Sequence, residues 1–182
     1  NDADQVNAGQ LNDRVAVDWG IVNAACRKGN RVFALYLDAA AGLVSVQPAP
    51  SRGCAGDALA AYIQQWGTPK EIIADNAKEF QEGSFKQLCR TRGIKQTFSP
   101  PCSPNFSPAE RYMEILSSGA RSLLYLSGLS PALFWSDAIL RRARLQLLTP
   151  IRGQLAPLGP KGRKTVKRTT REQEEEGAKE RG

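Results

Sequence analysis

An aspartate stands in the middle of a run that otherwise reads as a strand. From Arg14 the residues alternate, with Val15, Val17 and Trp19 on one side and Ala16, Asp18 and Gly20 on the other. A period of two predicts a β-strand with one apolar face, and here the second face is small except for the acid. Aspartate is disfavoured inside strands. A carboxylate drawn into a core is costly unless it is paired, hydrogen-bonded or bound to a metal. Any fold for this chain must therefore carry Asp18 on a sheet and leave it facing solvent or a partner.

The following sequence supplies the rest of that sheet. Gly29-Asn30 signals a turn, and Arg31 to Leu37 is apolar on both faces, as a central strand would be. Asp38 to Gly42 predicts a second turn, and Leu43 to Val46 a hairpin partner, giving three antiparallel strands in succession. Pro48, Pro50 and Gly53 break the pattern. Leu59, Tyr62, Ile63 and Trp66 then recur at helical spacing, with Gly67 and Pro69 as stop signals. Ile72, Ile73 and Ala74 make a short strand that ends at Asp75, followed by a polar loop from Asn76 to Phe80. A helix follows Gly83, with Phe85, Leu88 and Cys89 inward and Gly93 as its stop; Ile94 to Phe98 reads as another strand.

Four prolines between Ser99 and Pro108 exclude regular structure there. Tyr112, Ile115, Leu116, Ala120, Leu123 and Leu124 then mark a long amphipathic helix ended by Gly128. Ser130-Pro131 opens the last helix, whose apolar residues are Leu133, Phe134, Ala138, Ile139, Leu145 and Leu148. The order β-β-β-α-β-α-β-α-α predicts an α/β domain over residues 13–149: a mixed five-stranded sheet, three antiparallel strands first, flanked by helices. Residues 1–12 read as a lead-in, polar and acidic, without the pattern of a secretory or transit signal. Residues 150–182 carry a basic run, Lys161 to Arg171, then an acidic one, Glu172 to Glu176, and have the composition of a disordered tail.

Composition narrows the chemistry. The chain has no histidine, which excludes Ser-His-Asp and Cys-His catalysis and any His-containing zinc site within it. Cys26, Cys54, Cys89 and Cys102 contain no CxxC and suit isolated reduced thiols of a cytosolic or nuclear protein. No apolar run approaches the roughly 18 residues a membrane span requires. The net charge of +7 favours a polyanionic partner such as nucleic acid. Acid, base or metal-binding work falls to Asp and Glu.

Three carboxylates are candidates for it. Taken alone, Asp18 also reads as a solvent-facing strand acid and Asp75 as the start of an Asx turn. Glu110 reads as the third residue of a capping box in Ser107-Pro108-Ala109-Glu110. Taken together, two strand acids and one at a helix start form a minimal oxygen cage for Mg²⁺ or Mn²⁺, hard ions that prefer carboxylate and water. A pair of such ions supports phosphoryl transfer by activating the attacking oxygen and stabilising the leaving one. For phosphate contacts the candidates are Lys78, Lys95, Arg111 and Arg121, with the tail's basic run for nonspecific binding or nuclear import; each also reads as solvated surface.

The stretch Trp66-Gly67-Thr68-Pro69-Lys70-Glu71-Ile72-Ile73-Ala74-Asp75-Asn76, continuing to Glu79-Phe80, resembles the second-aspartate segment of retroviral and retrotransposon integrases. Gly93-Ile94, Ser99-Pro100 to Pro104 and Ala109-Glu110-Arg111 look like the lead-up to their catalytic glutamate. Ala120 to Leu124, Gly128-Leu129 and Phe134-Trp135-Ser136-Asp137-Ala138 look most like the Ty1/copia branch. The likeness spans about residues 11–148 and implies a ribonuclease-H-like fold with a catalytic, metal-holding triad of Asp18, Asp75 and Glu110. It implies Mg²⁺ or Mn²⁺, and DNA 3′-end processing followed by strand transfer into target DNA. Asn76, Lys78, Asn105, Arg111 and Arg121 would contact DNA, and the core would work as a homodimer or higher oligomer. The protein would be nuclear, with a cytoplasmic assembly stage, and not secreted. The sequence departs from the family's pattern at Ala77, where glycine is usual, over Asn105-Phe106-Ser107-Pro108, and at Glu114, where a base is common. Those departures keep two alternatives open: a catalytically decayed DNA-binding or assembly module of the same fold, and a simple metal-dependent nuclease.

Overall fold

A computed structural model describes residues 10–99 and 108–148. The expected sheet is there, in the order β3-β2-β1-β4-β5. Strand β1, Arg14–Ile21, is central. It pairs antiparallel with β2, Val32–Asp38, which pairs antiparallel with β3, Leu43–Ala49. On its other side β1 pairs parallel with β4, Glu71–Ala74, and β4 pairs parallel with β5, Lys95–Phe98. Every residue of β2 is buried, as its two-faced apolar pattern implied. The third strand runs past the predicted Val46 and through Pro48. It is an edge strand, where proline removes no ladder bond that the sheet needs.

The alternation of β1 divides the molecule into two cores. Val15, Val17 and, partly, Trp19 face helix α1 (Ala55–Trp66), the short α2 (Lys78–Gln81) and α3 (Gly83–Arg92), together with Tyr36, Ile72 and Ala74. The stacked rings of Tyr36 and Tyr62, 4.6 Å between centroids, tie the sheet to α1. The opposite face of β2 and β3, through Phe33, Leu35, Leu37, Val44 and Val46, packs against α4 (Pro108–Ser127) and α5 (Pro131–Leu148). Among the described residues no helix is long and apolar enough to cross a membrane, and Cys26, Cys54 and Cys89 are free.

Four local expectations change. Helix α2 stands where the sequence predicts a polar loop, because Phe80 is fully buried, stacked on Trp19 and edge-on to Phe85, and draws the chain inward. In α5, Leu133 and Leu148 are exposed, and the inner face is Trp135, Ser136, Ala138, Ile139 and Ala143. The small face that carries Asp18 is not open: a Cβ on Gly20 would stand 2.1 Å from the ring of Phe33, its cross-strand partner. The glycine exists to admit that ring. Asn12, placed by composition in the lead-in, is buried.

Candidate functional site

Parallel pairing sets the site. In β1 and β4, Arg14 lies opposite Glu71, Val15 opposite Ile72, and Ala16 opposite Ile73. The same offset carried on brings Asp18, still within β1 and opposite Leu35 of β2, beside Asp75, just past the end of β4, on strands about 4.8 Å apart. The carboxyl ends of adjacent parallel strands are where α/β sheets place their ligands.

Asp18 is half-buried, and one of its carboxylate oxygens accepts the Trp19 N–H at 2.7 Å. Burial pushes its carboxyl above the usual aspartate range; the Trp19 N–H works against that, the charges of Asp75 and Glu110 add to it, and the Arg52 charge opposes them. Like charges raise a carboxyl only at short range, so the three acids predicted from the sequence share one electrostatic neighbourhood. Asp75 is exposed just beyond β4, and its Oδ1 accepts the Ala77 N–H at 3.1 Å. The turn reading and the site reading of Asp75 therefore coexist. Glu110 is exposed in the first turn of α4, where the helix dipole favours an acid. Glu114, one turn on, is exposed too.

Three oxygen donors of this kind suit a hard divalent ion in chemistry. Their arrangement is not that of a closed cage: among the described residues no three His, Cys, Asp or Glu side chains group closely enough to hold one. Burial first, and then the charges of Asp75 and Glu110, make the ionised form of Asp18 costly.

The remaining candidates scatter. The Asn76 side chain donates to the Ser99 carbonyl at 2.9 Å, and the Asn76 carbonyl accepts from the Gln81 side chain at 2.8 Å, so it braces the loop after β4. Lys78 is exposed and stands 3.9 Å from Glu82. Arg121 Nε donates to the Ser117 carbonyl at 3.3 Å, and Arg111 is exposed on α4. Lys95 is 3.2 Å from Glu71, at the opposite end of the sheet from Asp75. Asn105, the Ser107 cap and the tail's basic run lie outside the described residues.

Sequence reasoning passed over Arg52. It sits in a single 3-10 turn, Arg52–Cys54, between β3 and α1, and donates from Nη1 to Glu79 on α2 at 3.2 Å. A lone arginine in a Pro/Gly-rich break gives no signal, because its partner is 27 residues away.

No family model matches the sequence, and no curated protein matches it. Solved structures do. The HTLV-2 integrase catalytic core domain, solved in complex with magnesium in a trimeric form, is 23% identical with a TM-score of 0.59 over 85% of this chain and 93% of that one. The fold is that of a retroviral integrase catalytic core. The BIV integrase catalytic core domain is 18% identical, with a TM-score of 0.56 over 93% of this chain and 99% of that one. A chain of a simian T-cell lymphotropic virus intasome is 18% identical, with a TM-score of 0.65 over 89% of this chain. This chain spans 60% of the length of that intasome chain. The integrase cores share with it the mixed five-stranded sheet between helices.

Proposed function

We propose that this protein is the core of a DDE-type DNA integrase of a retrotransposon of the Ty1/copia kind. On this reading it trims the 3′ ends of the element's DNA and joins them to target DNA, in the nucleus. Its partners are DNA and further copies of itself, at least as a dimer. The domain occupies residues 13–149, and residues 150–182 form its tail. The observation that carries the reading is the shared electrostatics of Asp18 within β1, Asp75 just past β4 and Glu110 in the first turn of α4. The HTLV-2 core with the same fold was solved with magnesium.

Asp18, Asp75 and Glu110 would hold Mg²⁺ or Mn²⁺ once their carboxylates draw closer together than they stand here. A divalent ion there supplies a Lewis acid and lowers the pKa of an attacking water or hydroxyl. The chain itself does the orienting. The Trp19 N–H fixes the Asp18 carboxylate, and the Asx turn at Ala77 fixes that of Asp75. The Asn76 amide locks the same loop to the end of β5. Asn76, Lys78, Asn105, Arg111 and Arg121 are assigned to the DNA.

The test is a Mn²⁺ titration read by thermal melting, with strand-transfer products scored on a labelled duplex. The wild type should gain stability with Mn²⁺ and form joined products; Asp75→Asn should lose both. A melting point indifferent to Mn²⁺ in the wild type defeats the reading. Cut but never joined products would mean a nuclease. The second reading, a decayed DNA-binding or assembly module, draws on Glu114: an exposed acid one turn beyond Glu110 opposes an arriving polyanion.

A further inference from the structure

A site that draws a polyanion toward three acids needs a cation on the approach, and few bases near this one are placed for it. Arg121, though assigned to the DNA, donates here to a carbonyl of its own helix and must leave it to reach a phosphate. Lys95 is paired with Glu71 at the far end of the sheet. Arg52 is different. It is the base whose charge reaches Asp18, and its side chain is half exposed while that of Glu79, which holds it, is 16% exposed. Glu79 belongs to α2, the helix that directly follows the Asp75 loop, so the pair joins the β3–α1 connection to the segment carrying Asp75. A guanidinium has five N–H donors in a planar fork. One contacts Glu79, which orients the fork and leaves other donors free.

The surroundings fit a linear ligand better than a compact one. Arg52 lines an open groove of about 510 Å³ with Gly53, Lys78, Glu79, Gly83 and Ser84. Small-molecule sites are enclosed and lined by hydrophobic side chains; this groove is open and no hydrophobic residue lines it. Two of its positions are glycine and lack filling side chains: a Cβ on Gly83 would meet nothing within 4 Å, and one on Gly53 would meet only the Ser51 hydroxyl at 3.4 Å. A backbone of alternating phosphates can lie close to the chain there. Lys78 on the same rim is held only by a long contact to an exposed Glu82 and can swing to a phosphate. With Glu79 and Glu82 also present, the groove has no net positive charge, so its recognition depends on directed donors rather than on field.

We propose that Arg52, held in place by Glu79, clamps a phosphate of the bound polynucleotide beside the one that reacts, and that the groove between the Arg52–Cys54 turn and the start of α3 carries that strand. This rests on the transferase reading for the position of the reacting phosphate. It does not rest on it for binding.

The experiment measures anisotropy of a short labelled DNA duplex with the full chain, across a salt series, once in chelator and once in Ca²⁺. Arg52→Gln should weaken binding about tenfold at low salt, as expected for one charge-assisted hydrogen-bonded contact. It should also flatten the dependence of log K on log[salt] by about one. Arg52→Lys should keep the wild-type slope, because the charge remains, and lose several-fold in affinity, because the fork does not. Arg90→Gln, at the other end of α3, is the control for net charge, and the tail contributes equally to every variant. The proposal is overturned if Arg52→Gln matches the wild type in both arms, if Arg90→Gln weakens binding as much, or if the wild type does not bind the duplex. Should Arg52→Gln be silent while Asp75→Asn still abolishes joined products, this proposal alone falls. If Arg52→Gln acts and the wild type joins nothing, the groove stands and the transferase reading falls.

Discussion

Asn12 holds together the end of the sheet opposite the site, and replacing it tests whether the contacts around it stabilise the fold as the geometry implies. Its backbone is left-handed, with φ 67°. Its Oδ1 accepts the Tyr62 hydroxyl at 2.6 Å, its Nδ2 donates to the Trp66 carbonyl at 2.7 Å, and its own N–H donates to Asp38 at 2.6 Å. Burial, and then the Asp38 charge, push the Tyr62 hydroxyl above the usual tyrosine range, so it stays a neutral donor. Asn12→Ala leaves that hydroxyl and the Trp66 carbonyl without partners. A buried group so orphaned costs about 1–3 kcal/mol. The helix-end carbonyl can turn toward water, so together they come to about 3 kcal/mol. Alanine also tolerates the left-handed region less well than asparagine, by about 1 kcal/mol. The expected loss is therefore about 4 kcal/mol for Asn12→Ala and about 3 kcal/mol for Asn12→Gly, which is free of the backbone penalty.

Urea unfolding followed by tryptophan fluorescence reads this directly, as a fall of about 2 M in the midpoint for a slope near 2 kcal/mol per molar. The decisive arm is the double mutant. In the wild type, Tyr62→Phe should cost about 1–2 kcal/mol, because it strands Asn12 Oδ1. In the Asn12→Ala background it should cost nothing or stabilise, since it removes a hydroxyl already without a partner. If the two single losses simply add, the hydroxyl is not bonded to Asn12 and the reasoning fails.

Other outcomes follow from the same structure. A Cβ on Gly56 would lie 2.9 Å from the Ser84 carbonyl carbon and 2.4 Å from its hydroxyl, so Gly56→Ala should force α1 from α3 and cost about 1–3 kcal/mol by thermal melting. The Glu71 carboxyl is lowered from 4.5 to about 2, first by the Thr97 hydroxyl and then by Arg14 and Lys95. A depressed acid stabilises the fold above its unfolded pKa, and that stability is lost as pH falls from 4.5 toward 2. The full displacement corresponds to about 3 kcal/mol, and screening around the exposed Arg14 and Lys95 reduces it to about 1–2 kcal/mol. Glu71→Gln should therefore be less stable than the wild type by that amount at pH 6, with the gap closing near pH 2 in matched denaturant titrations. The raised Asp18 carboxyl has the opposite sign: the fold loses stability as pH rises above the ordinary aspartate range. Asp18→Asn should raise the metal-free melting temperature at pH 7 and leave it unchanged at pH 3, while removing any gain from Mn²⁺.

How much of this was legible depends on how far each contact reaches along the chain. The alternation Val15, Val17, Trp19 against Ala16, Asp18, Gly20 encodes which side of β1 is buried, because side chains two apart share a face. The helical stripe ending at Trp66 and the stop at Gly67 are equally local. The meeting of Asp18 with Asp75 is not: it requires β4 to add parallel to β1 across 57 residues, from Arg14 to Glu71. Residue chemistry grouped these acids as a candidate cage and the resemblance named them as a triad, while periodicity gave no register between β1 and β4. Phe80 carried no strand or helix signal of its own, and only its place against Trp19 explains α2.

For the same reason Asn12 and Arg52 gave no signal in the sequence and the three acids did. Carboxylates are conspicuous in sequence because an apolar neighbourhood makes them expensive. Asn12 and Arg52 lie in polar, turn-like segments where their residue types are unremarked, and each becomes meaningful only through partners 50 and 27 residues distant. Both are polar side chains that tie distant segments together: Asn12 the start of β1 to the end of α1, and Arg52 the β3–α1 turn to α2. In a mixed sheet whose candidate site is assembled from separate strands, a residue of that kind cannot announce itself locally. Its signature is an expensive group elsewhere with too few partners, and here that group is Asp18, whose repulsion by Asp75 and Glu110 is opposed by a single arginine. Removing the Arg52 charge should therefore raise the Asp18 carboxyl further. Removing Asp75 or Glu110 should lower it, and the pH dependence of stability in Arg52→Gln and Asp75→Asn should shift in opposite directions.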